Sequence, residues 1–249
     1  INADPKLNLV NEDQKAVSLL DNFALKVVDL KQTKIANVSK NLCLERIPGQ
    51  GSSKHCSVES TLKHGSDISN LVCQAFREQV KAAEIVIYNA GGIRVDIMQG
   101  PLTIGDAYKL LPFSSMLVLM PMTGSQIKAV LEDALDYAIQ TDGSTGAYPY
   151  AAGLRWYIDA NSDKGNRFSK IEYKGPSDKS WLVLDPNRTY IVVTNDFIAK
   201  GKDGYLTFAT LPFTNTYLED TKVFIDYARR VKNIDKLDYS DYSTQELKN

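Results

Sequence analysis

The stretch that decides the fold is residues 84–94, which read Glu-Ile-Val-Ile-Tyr-Asn-Ala-Gly-Gly-Ile-Arg. Its first five residues form a short, β-branched apolar run, which predicts a buried strand. Asn89 ends that run and the pair Gly91-Gly92 follows, so the strand leads into a tight turn whose backbone can approach a ligand closely. Arg94 then offers a planar guanidinium fork, which suits phosphate or ribose oxygens.

A second segment of the chain repeats this design. Residues 190–194 are again apolar and β-branched, and the predicted strand again ends at an asparagine, Asn195. A loop with two glycines and Asp203 follows. A carboxylate can accept hydrogen bonds from two adjacent hydroxyls, as a ribose presents them, and the amide of Asn89 offers both a donor and an acceptor, which suits a purine edge.

Two aromatic residues stand close to these segments. Phe113 follows Pro112 at the end of a predicted short helix, and Phe197 comes two residues after Asn195. Each phenylalanine can offer a flat face to a base. The competing interpretation is that both loops are ordinary strand-to-loop turns and that both phenylalanines belong to the core.

The remaining elements mix helices and strands without a regular alternation, so the sequence predicts an α+β fold, a single mixed α/β domain. Residues 10–36 carry apolar side chains at three- and four-residue steps and predict one long surface helix. Ser66 or Asp67 is expected to begin another helix. Residues 141–153 are rich in glycine and polar side chains and predict a long loop.

Three parts of the chain are expected from this pattern. Residues 1–39 would be a connecting helix and linker, and residues 40–232 would form the single domain, closed by a helix near its end. Residues 233–249 are polar and would form a mobile C-terminal tail.

Composition narrows the classes of function. The chain of 249 residues carries 29 basic and 30 acidic side chains, so its net charge of −1 gives no electrostatic case for a nucleic-acid partner. No apolar run reaches the roughly 18 residues of a membrane span. There are only two histidines and neither a G-x-S-x-G elbow nor a P-loop. We therefore expect no catalytic residue, no metal ligand and no cofactor within this chain.

The three cysteines are Cys43, Cys56 and Cys73. A polar, turn-rich segment separates the first two, and a disulfide closing it would stabilise the fold by about 3 kcal/mol. Metal binding is the competing interpretation, but no C-x-x-C or H-x3-H pair supports it. Cys73 lies in an amphipathic helical pattern and is expected to be a buried thiol. One bridge suits a periplasmic or secreted protein better than a cytosolic one.

Five motifs follow one another along the chain. They are Asn89-Ala-Gly-Gly-Ile-Arg94, Leu111-Pro-Phe113, Met122-Thr-Gly124, Ser144-Thr-Gly-Ala-Tyr-Pro149 and Asn195-Asp-Phe-Ile-Ala-Lys-Gly-Lys-Asp-Gly-Tyr205. This ordered set resembles the C-terminal domain of the 5′-nucleotidase family, periplasmic and cell-surface enzymes that hydrolyse nucleotides. The resemblance covers about residues 40–230. The pair Cys43 and Cys56 and the segment 64–70 are similar to bacterial members, including those that act on NAD.

The resemblance implies the substrate-binding half of a two-domain hydrolase. In this family an N-terminal metallophosphatase domain holds two divalent metal ions and performs the phosphoester chemistry, while the C-terminal domain binds the nucleoside. A connecting helix, matched here by residues 10–36, lets the two domains rotate. This chain alone is then expected to bind a nucleoside or nucleotide, with adenine favoured, and not to hydrolyse it.

The resemblance also implies a role for each site residue. The aromatic pair would sandwich the base, the carboxylate would bind the ribose hydroxyls, the asparagine would lie at the nucleoside, and the arginine would reach the ribose–phosphate side. The residues expected to bind the nucleotide are Asn89, Gly91, Gly92, Arg94, Phe113, Phe197 and Asp203.

The chain departs from the family pattern in two places. Lys202 stands where many members have a glycine before the aspartate, and it adds a positive charge near the ribose. Some members carry a further arginine before the helix near residue 67, where this chain offers Lys63 and His64, with Arg46 as another candidate.

A second function remains open at this point, a non-catalytic secreted interaction or adhesion module that keeps the fold.

Overall fold

The computed structural model describes residues 12–248. Eight α-helices lie within that range: α1 (Gln14–Gln32), α2 (Val58–Thr61), α3 (Asp67–Gln79), α4 (Ile104–Leu110), α5 (Gly124–Ile139), α6 (Asp196–Ala199), α7 (Leu206–Ala209) and α8 (Asp220–Val231). Its twelve strands are β1 (Lys34–Val38), β2 (Ile85–Asn89), β3 (Gly100–Thr103), β4 (Met116–Thr123), β5 (Pro149–Ala152), β6 (Leu154–Asp159), β7 (Phe168–Tyr173), β8 (Leu182–Val183), β9 (Thr189–Asn195), β10 (Thr214–Glu219), β11 (Asn233–Ile234) and β12 (Thr244–Lys248).

Three sheets hold these strands. The central sheet has five strands in the order β10-β4-β9-β2-β5, a second has four in the order β12-β6-β7-β8, and the third has three in the order β11-β1-β3. The central sheet is mixed, because β2 pairs in parallel with β9 while β4 and β5 run antiparallel to their neighbours. The predicted α+β class, a single mixed α/β domain, is confirmed.

The core lies around the central sheet. Every residue of β2 is buried, as its continuous apolar run predicts. Helix α3 packs on β2, β5 and α8, while α5 packs on β4, β5 and β7. Ser66 is the residue that caps α3, since its Oγ accepts from the backbone N–H of Ser69 at 3.0 Å. Helices α3 and α5 thus both pack against the central sheet.

The first helix is shorter than the sequence predicts. Helix α1 ends at Gln32, and the residues expected to form its last turn make strand β1 instead. Ile35, Ala36 and Val38 are buried there, because β1 lies between β3 and β11 and gains hydrogen bonds from both. Helix α1 itself has no buried residue. Residues 10 and 11 of the predicted helix lie outside the described residues.

The segment after residue 232 corrects the expectation of a mobile tail. Strand β11 pairs in parallel with β1, and β12 pairs in parallel with β6. Tyr242, Ser243 and Thr244 are fully buried, and the Tyr242 hydroxyl donates to Asp67 Oδ1 at 2.7 Å. The polar side chains that suggest a solvated tail thus serve as hydrogen-bond partners inside the fold.

The predicted loop over residues 141–153 is also partly ordered structure. A 3-10 turn covers residues 145–147 and strand β5 follows it, where Tyr148 and Tyr150 are fully buried. Tyr150 donates to the carbonyl oxygen of Arg46 at 3.0 Å.

Among residues 12–248, no helix combines the length and the apolar character that crossing a bilayer requires.

Candidate functional site

A cleft of about 570 Å³ opens where β2 and β9 end. The two strands are adjacent and parallel, so their carboxyl ends meet at one edge of the central sheet, and Asn89 and Asn195 are their last residues. Crevices at the carboxyl ends of strands are where open α/β sheets bind ligands. The repeated strand–asparagine–loop pattern in the sequence therefore marks one place in the fold.

The cleft brings together all the residues predicted to bind a nucleotide. They are Asn89, Gly91, Gly92, Arg94, Phe113, Phe197 and Asp203. Sequence reasoning left out several residues that also line it, among them Tyr88, Ser114, Ser115, Met116, Ser144, Gly146, Asn195, Asp196 and Lys200. Tyr88, Ser114 and Asp196 each adjoin a predicted residue in the sequence, and only position in the fold shows that the others reach the cleft.

The two phenylalanines lie on the rim of the cleft. Phe113 is 59% exposed and Phe197 is 45% exposed, so the interpretation that places them in the core is wrong. Phe113 follows helix α4, and the next residue, Ser114, has a positive φ of 50° that turns the chain sharply. Phe197 lies in the first turn of the short helix α6. Local turns therefore bring both rings out of the core.

A chain of hydrogen bonds joins the asparagines of the two strand ends to the carboxylate. Asn195 Nδ2 donates to Asn89 Oδ1 at 3.0 Å, and Asn89 Nδ2 donates to Asp203 Oδ2 at 2.9 Å. Asn89 and Asn195 are 4% and 2% exposed. Asp203 Oδ1 makes no hydrogen bond to the described residues, so this oxygen is available to a hydroxyl in the cleft.

Asp203 also has an unusual backbone. Its φ is 53° and its ψ is 33°, in the left-handed region that a residue other than glycine rarely adopts. Aspartate tolerates this region better than most residues. Gly201 and Gly204 on either side also have positive φ values. The loop is thus bent sharply around the carboxylate, which holds Asp203 at the cleft.

The floor of the cleft includes the Tyr88 side chain. Its hydroxyl donates to Asp220 Oδ2 at 2.7 Å. Burial raises the pKa of Tyr88, and the carboxylate of Asp220 raises it further. The phenol therefore stays neutral and serves as a donor, and its bond to Asp220 ties the end of β2 to the first turn of α8.

Arginine side chains border the cleft on another side. Arg94 Nη1 donates to the carbonyl oxygen of Gly91 at 3.1 Å, and Arg46 Nη1 donates to Thr145 Oγ1 at 3.2 Å. Both arginines also line a neighbouring cleft of about 330 Å³. Their remaining N–H groups give this side a cationic, donor-rich surface, the chemistry that binds phosphate oxygens.

Glycine is required where the two loops of the cleft touch. A Cβ on Gly91 would lie 3.2 Å from both the Cα and the carbonyl oxygen of Gly146. Both neighbours are backbone atoms, which cannot move aside as a flexible side chain would. This close contact fixes the loop after β2 against the turn at residues 145–147, and it explains the glycines in two of the sequence motifs.

The predicted disulfide is present between Cys43 and Cys56, and Cys73 is buried and free. The loop that the disulfide closes is also held by Glu45, which is fully buried. Glu45 accepts hydrogen bonds from the backbone N–H groups of Gly51 at 2.8 Å and Ser52 at 3.0 Å. The Thr61 hydroxyl, outside this loop, donates to Glu45 as well at 2.9 Å. Nothing in the sequence pattern singles out this carboxylate, because most of its donors are backbone groups of its own loop.

Of the candidates for an additional basic contact, Arg46 lines the cleft while His64 packs elsewhere. The His64 ring stacks on Tyr239 with 4.8 Å between centroids, and its Nδ1 donates to the carbonyl oxygen of Thr244 at 3.0 Å. Burial lowers the pKa of His64, and the charges of Lys63 and Lys236 lower it further. His64 is thus a structural contact to the C-terminal segment.

Within residues 12–248, no group of three or more His, Cys, Asp or Glu side chains could hold a metal ion.

Comparison with known proteins places this geometry in a family. The family model "5′-nucleotidase, C-terminal domain" matches residues 35–210. The chain belongs to this family. The 5′-nucleotidase C-terminal domain described here is 36% identical over 191 residues to the NAD 5′-nucleotidase of Haemophilus influenzae, covering 74% of this chain and 32% of that protein. It is 33% identical over 239 residues to a probable 5′-nucleotidase of Treponema pallidum, covering 92% of this chain and 39% of that protein.

Solved structures agree with the sequence relatives. The Haemophilus influenzae NAD nucleotidase superposes with a TM-score of 0.79 at 29% identity, covering 96% of this chain and 42% of that one. A 5′-nucleotidase precursor from Thermus thermophilus gives a TM-score of 0.76 at 29% identity, covering 96% and 44%. This 5′-nucleotidase C-terminal domain thus spans between about a third and two fifths of the length of those curated relatives.

Proposed function

We propose that this 5′-nucleotidase C-terminal domain binds a nucleoside or nucleotide and sets the specificity of a phosphoester hydrolase. One observation carries the proposal. Two exposed phenylalanines, a hydrogen-bonded aspartate and two arginines surround a single cleft of about 570 Å³. This set offers a separate partner to each part of a nucleotide, which ordinary strand-to-loop turns do not require.

The aromatic residues would bind the base. Phe113 and Phe197 have exposed faces at the rim, and stacking on one aromatic face contributes about 1–3 kcal/mol per base. Stacking tolerates every base, so a preference among bases must come from polar groups. Most of the amide of Asn89 is engaged by Asn195 and Asp203, which leaves one N–H of its Nδ2 for a base or ribose acceptor.

The polar residues would bind the ribose and the phosphate. Asp203 Oδ1 is free to accept from ribose hydroxyls, because Oδ2 is held by Asn89. Arg94 and Arg46 present donors on the cationic side of the cleft. Lys202 adds a positive charge beside Asp203. The base would then lie at the phenylalanines, the ribose at Asp203, and the phosphate within reach of the arginine N–H groups.

An adenine nucleotide is the proposed ligand class. The relative from Haemophilus influenzae is named an NAD 5′-nucleotidase, and NAD contains an adenosine unit. A cleft that binds the adenosine half of NAD also accepts AMP or adenosine, since these share the base and the ribose. Binding by stacking and a few hydrogen bonds corresponds to dissociation constants of about micromolar to millimolar.

The hydrolysis itself is proposed for a larger protein. The reaction would be attack of water on a phosphoester, for which two divalent metal ions in an N-terminal metallophosphatase domain would supply an activated water. The residues of this chain would bind and orient the nucleotide for that domain. The Cys43–Cys56 disulfide supports a periplasmic or secreted location, where oxidised cysteines persist.

Calorimetric titration of this chain with adenosine, AMP, NAD and a nucleotide sugar tests the proposal. We expect saturable binding of the first three ligands at a stoichiometry of one, and binding weaker by about 1–3 kcal/mol when Phe197 is replaced by alanine. Phe213, which is 39% exposed and does not line the cleft, gives the matched control Phe213→Ala, which should bind as the unmodified chain does. Absence of binding to all four ligands would contradict the proposal and favour an interaction module.

An assay of phosphate release from AMP tests whether hydrolysis requires the N-terminal domain. The purified chain should not hydrolyse AMP at an enzymatic rate with Mg²⁺, Mn²⁺, Co²⁺ or Zn²⁺ added. A positive control containing a metallophosphatase domain from the same family verifies the assay. Metal-dependent phosphate release by the chain alone would show that it contains catalytic residues that we have not identified.

A further inference from the structure

The hydrogen bonds at the floor of the cleft form a chain with one direction. Asn195 Nδ2 donates to Asn89 Oδ1, and Asn89 Nδ2 donates to Asp203 Oδ2. An asparagine amide has its donor and its acceptor on opposite sides, so the direction of one link dictates the direction of the next. The orientation of Asn89 therefore depends on the residue at position 195.

Asn195 cannot reverse its own amide. Its Oδ1 caps helix α6 by accepting from the backbone N–H of Ile198 at 2.9 Å, which leaves Nδ2 to face Asn89. Asn195 is 2% exposed, so no water replaces either partner without exposing the core. The capped helix also carries Phe197, which places the base face and the start of the hydrogen-bond chain on one element.

The orientation of the Asp203 carboxylate depends on the hydrogen bond from Asn89 Nδ2. Its backbone has a φ of 53°, and the bond from Asn89 is the hydrogen bond that its side chain makes to the described residues. With Oδ2 engaged by Asn89, Oδ1 is directed to the ligand space. Without that donor, the carboxylate would lose the contact that fixes its rotamer.

We propose that Asn195 is a positioning residue for ribose recognition. It orients the amide of Asn89, and Asn89 in turn presents Asp203 Oδ1 to the vicinal hydroxyls of the ligand. The inference rests on the proposed nucleoside binding and adds to it a residue that acts through Asn89 and Asp203. If Asn195 has this role, replacing it should reduce the preference for ribose over deoxyribose, and this effect is distinct from a general loss of affinity.

The variant Asn195→Asp tests the direction of the chain. The new carboxylate keeps the cap on α6 but has no N–H for Asn89. Position 195 is buried while Asp203 is only partly buried, so the carboxylate at 195 costs more without a donor and the Asn89 amide turns over to donate to it. Asn89 Oδ1 then faces the carboxylate of Asp203 and repels it. We expect the preference for adenosine over 2′-deoxyadenosine, about tenfold in the unmodified chain, to fall to near unity.

The double variant Asn195→Asp with Asp203→Asn reverses every link and should restore the chain. Asn89 donates to position 195, and its Oδ1 accepts from the new amide at position 203, whose own oxygen then faces the cleft. Asp203→Asn alone turns its oxygen toward Asn89 and presents N–H to the ligand. We expect each single variant to lose the preference and the double variant to regain about threefold or more, as a neutral acceptor allows.

Two further variants separate positioning from stability. Asn70→Asp alters another buried asparagine, which bonds Ser66 and Ser243 away from the cleft, and should lower the melting temperature without changing the preference. If Asn195→Asp fails to fold, Asn195→Ser keeps an oxygen for the cap but is too short to reach Asn89, and should lose the preference in the same way.

The outcomes distinguish the inference from the proposal beneath it. If the unmodified chain binds adenosine with a preference and Asn195→Asp keeps that preference, the positioning role is overturned while nucleoside binding stands. If the double variant discriminates no better than Asp203→Asn, the directional chain is likewise overturned. If the unmodified chain binds neither nucleoside, both the proposed function and this inference fail.

Discussion

The guanidinium of Arg94 lies over the ring of Phe113, with 5.7 Å between its central carbon and the ring centroid. This contact is a cation–π interaction on one face of the ring. It joins the two residues expected at opposite ends of a nucleotide, the base and the phosphate. The cleft is therefore short enough for one side chain to support the aromatic rim and still present N–H groups to an anion.

The Arg94 contact predicts a difference between two ligands. Arg94→Ala should weaken AMP binding by about 1–2 kcal/mol more than adenosine binding, because a hydrogen bond to a charged group is lost only with AMP. Calorimetry with both ligands measures the difference. Arg230→Ala removes an exposed arginine paired with Glu78 and should change neither affinity. Equal losses for AMP and adenosine would mean that Arg94 only supports the Phe113 ring.

The rim position of the phenylalanines predicts a loss of affinity without a loss of stability. Phe113→Ala and Phe197→Ala should each weaken adenosine binding by about 1–3 kcal/mol. Their melting temperatures should stay close to that of the unmodified chain, because both rings are largely exposed. Phe76 is fully buried, so Phe76→Ala should instead destabilise the fold by about 3–5 kcal/mol. A large fall in melting temperature in the rim variants would contradict their place in the site.

The sequence predicts this site better than it predicts the edges of the fold. Strands β2 and β9 are continuous apolar runs that end in asparagine, so both their burial and the start of their loops can be read locally. Strands β1 and β12 are different. They owe their pairing to partners far away in the chain, β11 and β6, and a short mixed-polarity segment carries no local sign of a distant partner.

The hydrogen bonds between the site residues are also not predictable from the sequence. The sequence predicts Asn89 and Asp203 as ligand contacts, yet their residue types do not reveal that they bond to each other across 114 positions. Buried Glu45 is a stronger case, since a carboxylate in a polar loop is expected in solvent. Pairing between loops depends on how the strands are ordered, which residue types alone do not specify.

The cysteines predict a specific labelling pattern. In non-reducing conditions the folded chain should react with no thiol reagent, because Cys73 is buried and burial raises the pKa of its thiol. One thiol should react after denaturation, and three after reduction as well. Peptide mapping should find Cys43 joined to Cys56, and Cys73→Ser should remove the single reactive thiol. Two further free thiols in oxidised, denatured protein would exclude the disulfide.

Loss of the disulfide should cost stability. Cys43→Ser with Cys56→Ser should destabilise the fold by about 3 kcal/mol, since the unfolded chain regains the entropy of the open loop. Urea titration of the oxidised chain and of this double variant measures the difference. An equal midpoint for both would mean that the Glu45 hydrogen bonds alone hold the loop.

His64 predicts a fall in stability on the acid side of neutrality. Its pKa in the folded state lies below the usual 6.5. The unfolded chain therefore binds a proton first, so the contribution is full above pH 6.5 and is lost as the pH falls through the folded-state pKa. His64→Gln should flatten the stability profile below pH 6.5, while His55→Gln, at an exposed histidine, should not. Identical profiles for both variants would contradict this role.

Strand β1 has a consequence for how the protein is made. Its parallel partner β11 follows it by 233 − 37 = 196 positions, since Asn37 pairs with Asn233. The ribosome must therefore synthesise every element between the two strands before this three-stranded sheet can close. A pairing this distant raises the contact order and slows the step that completes the sheet.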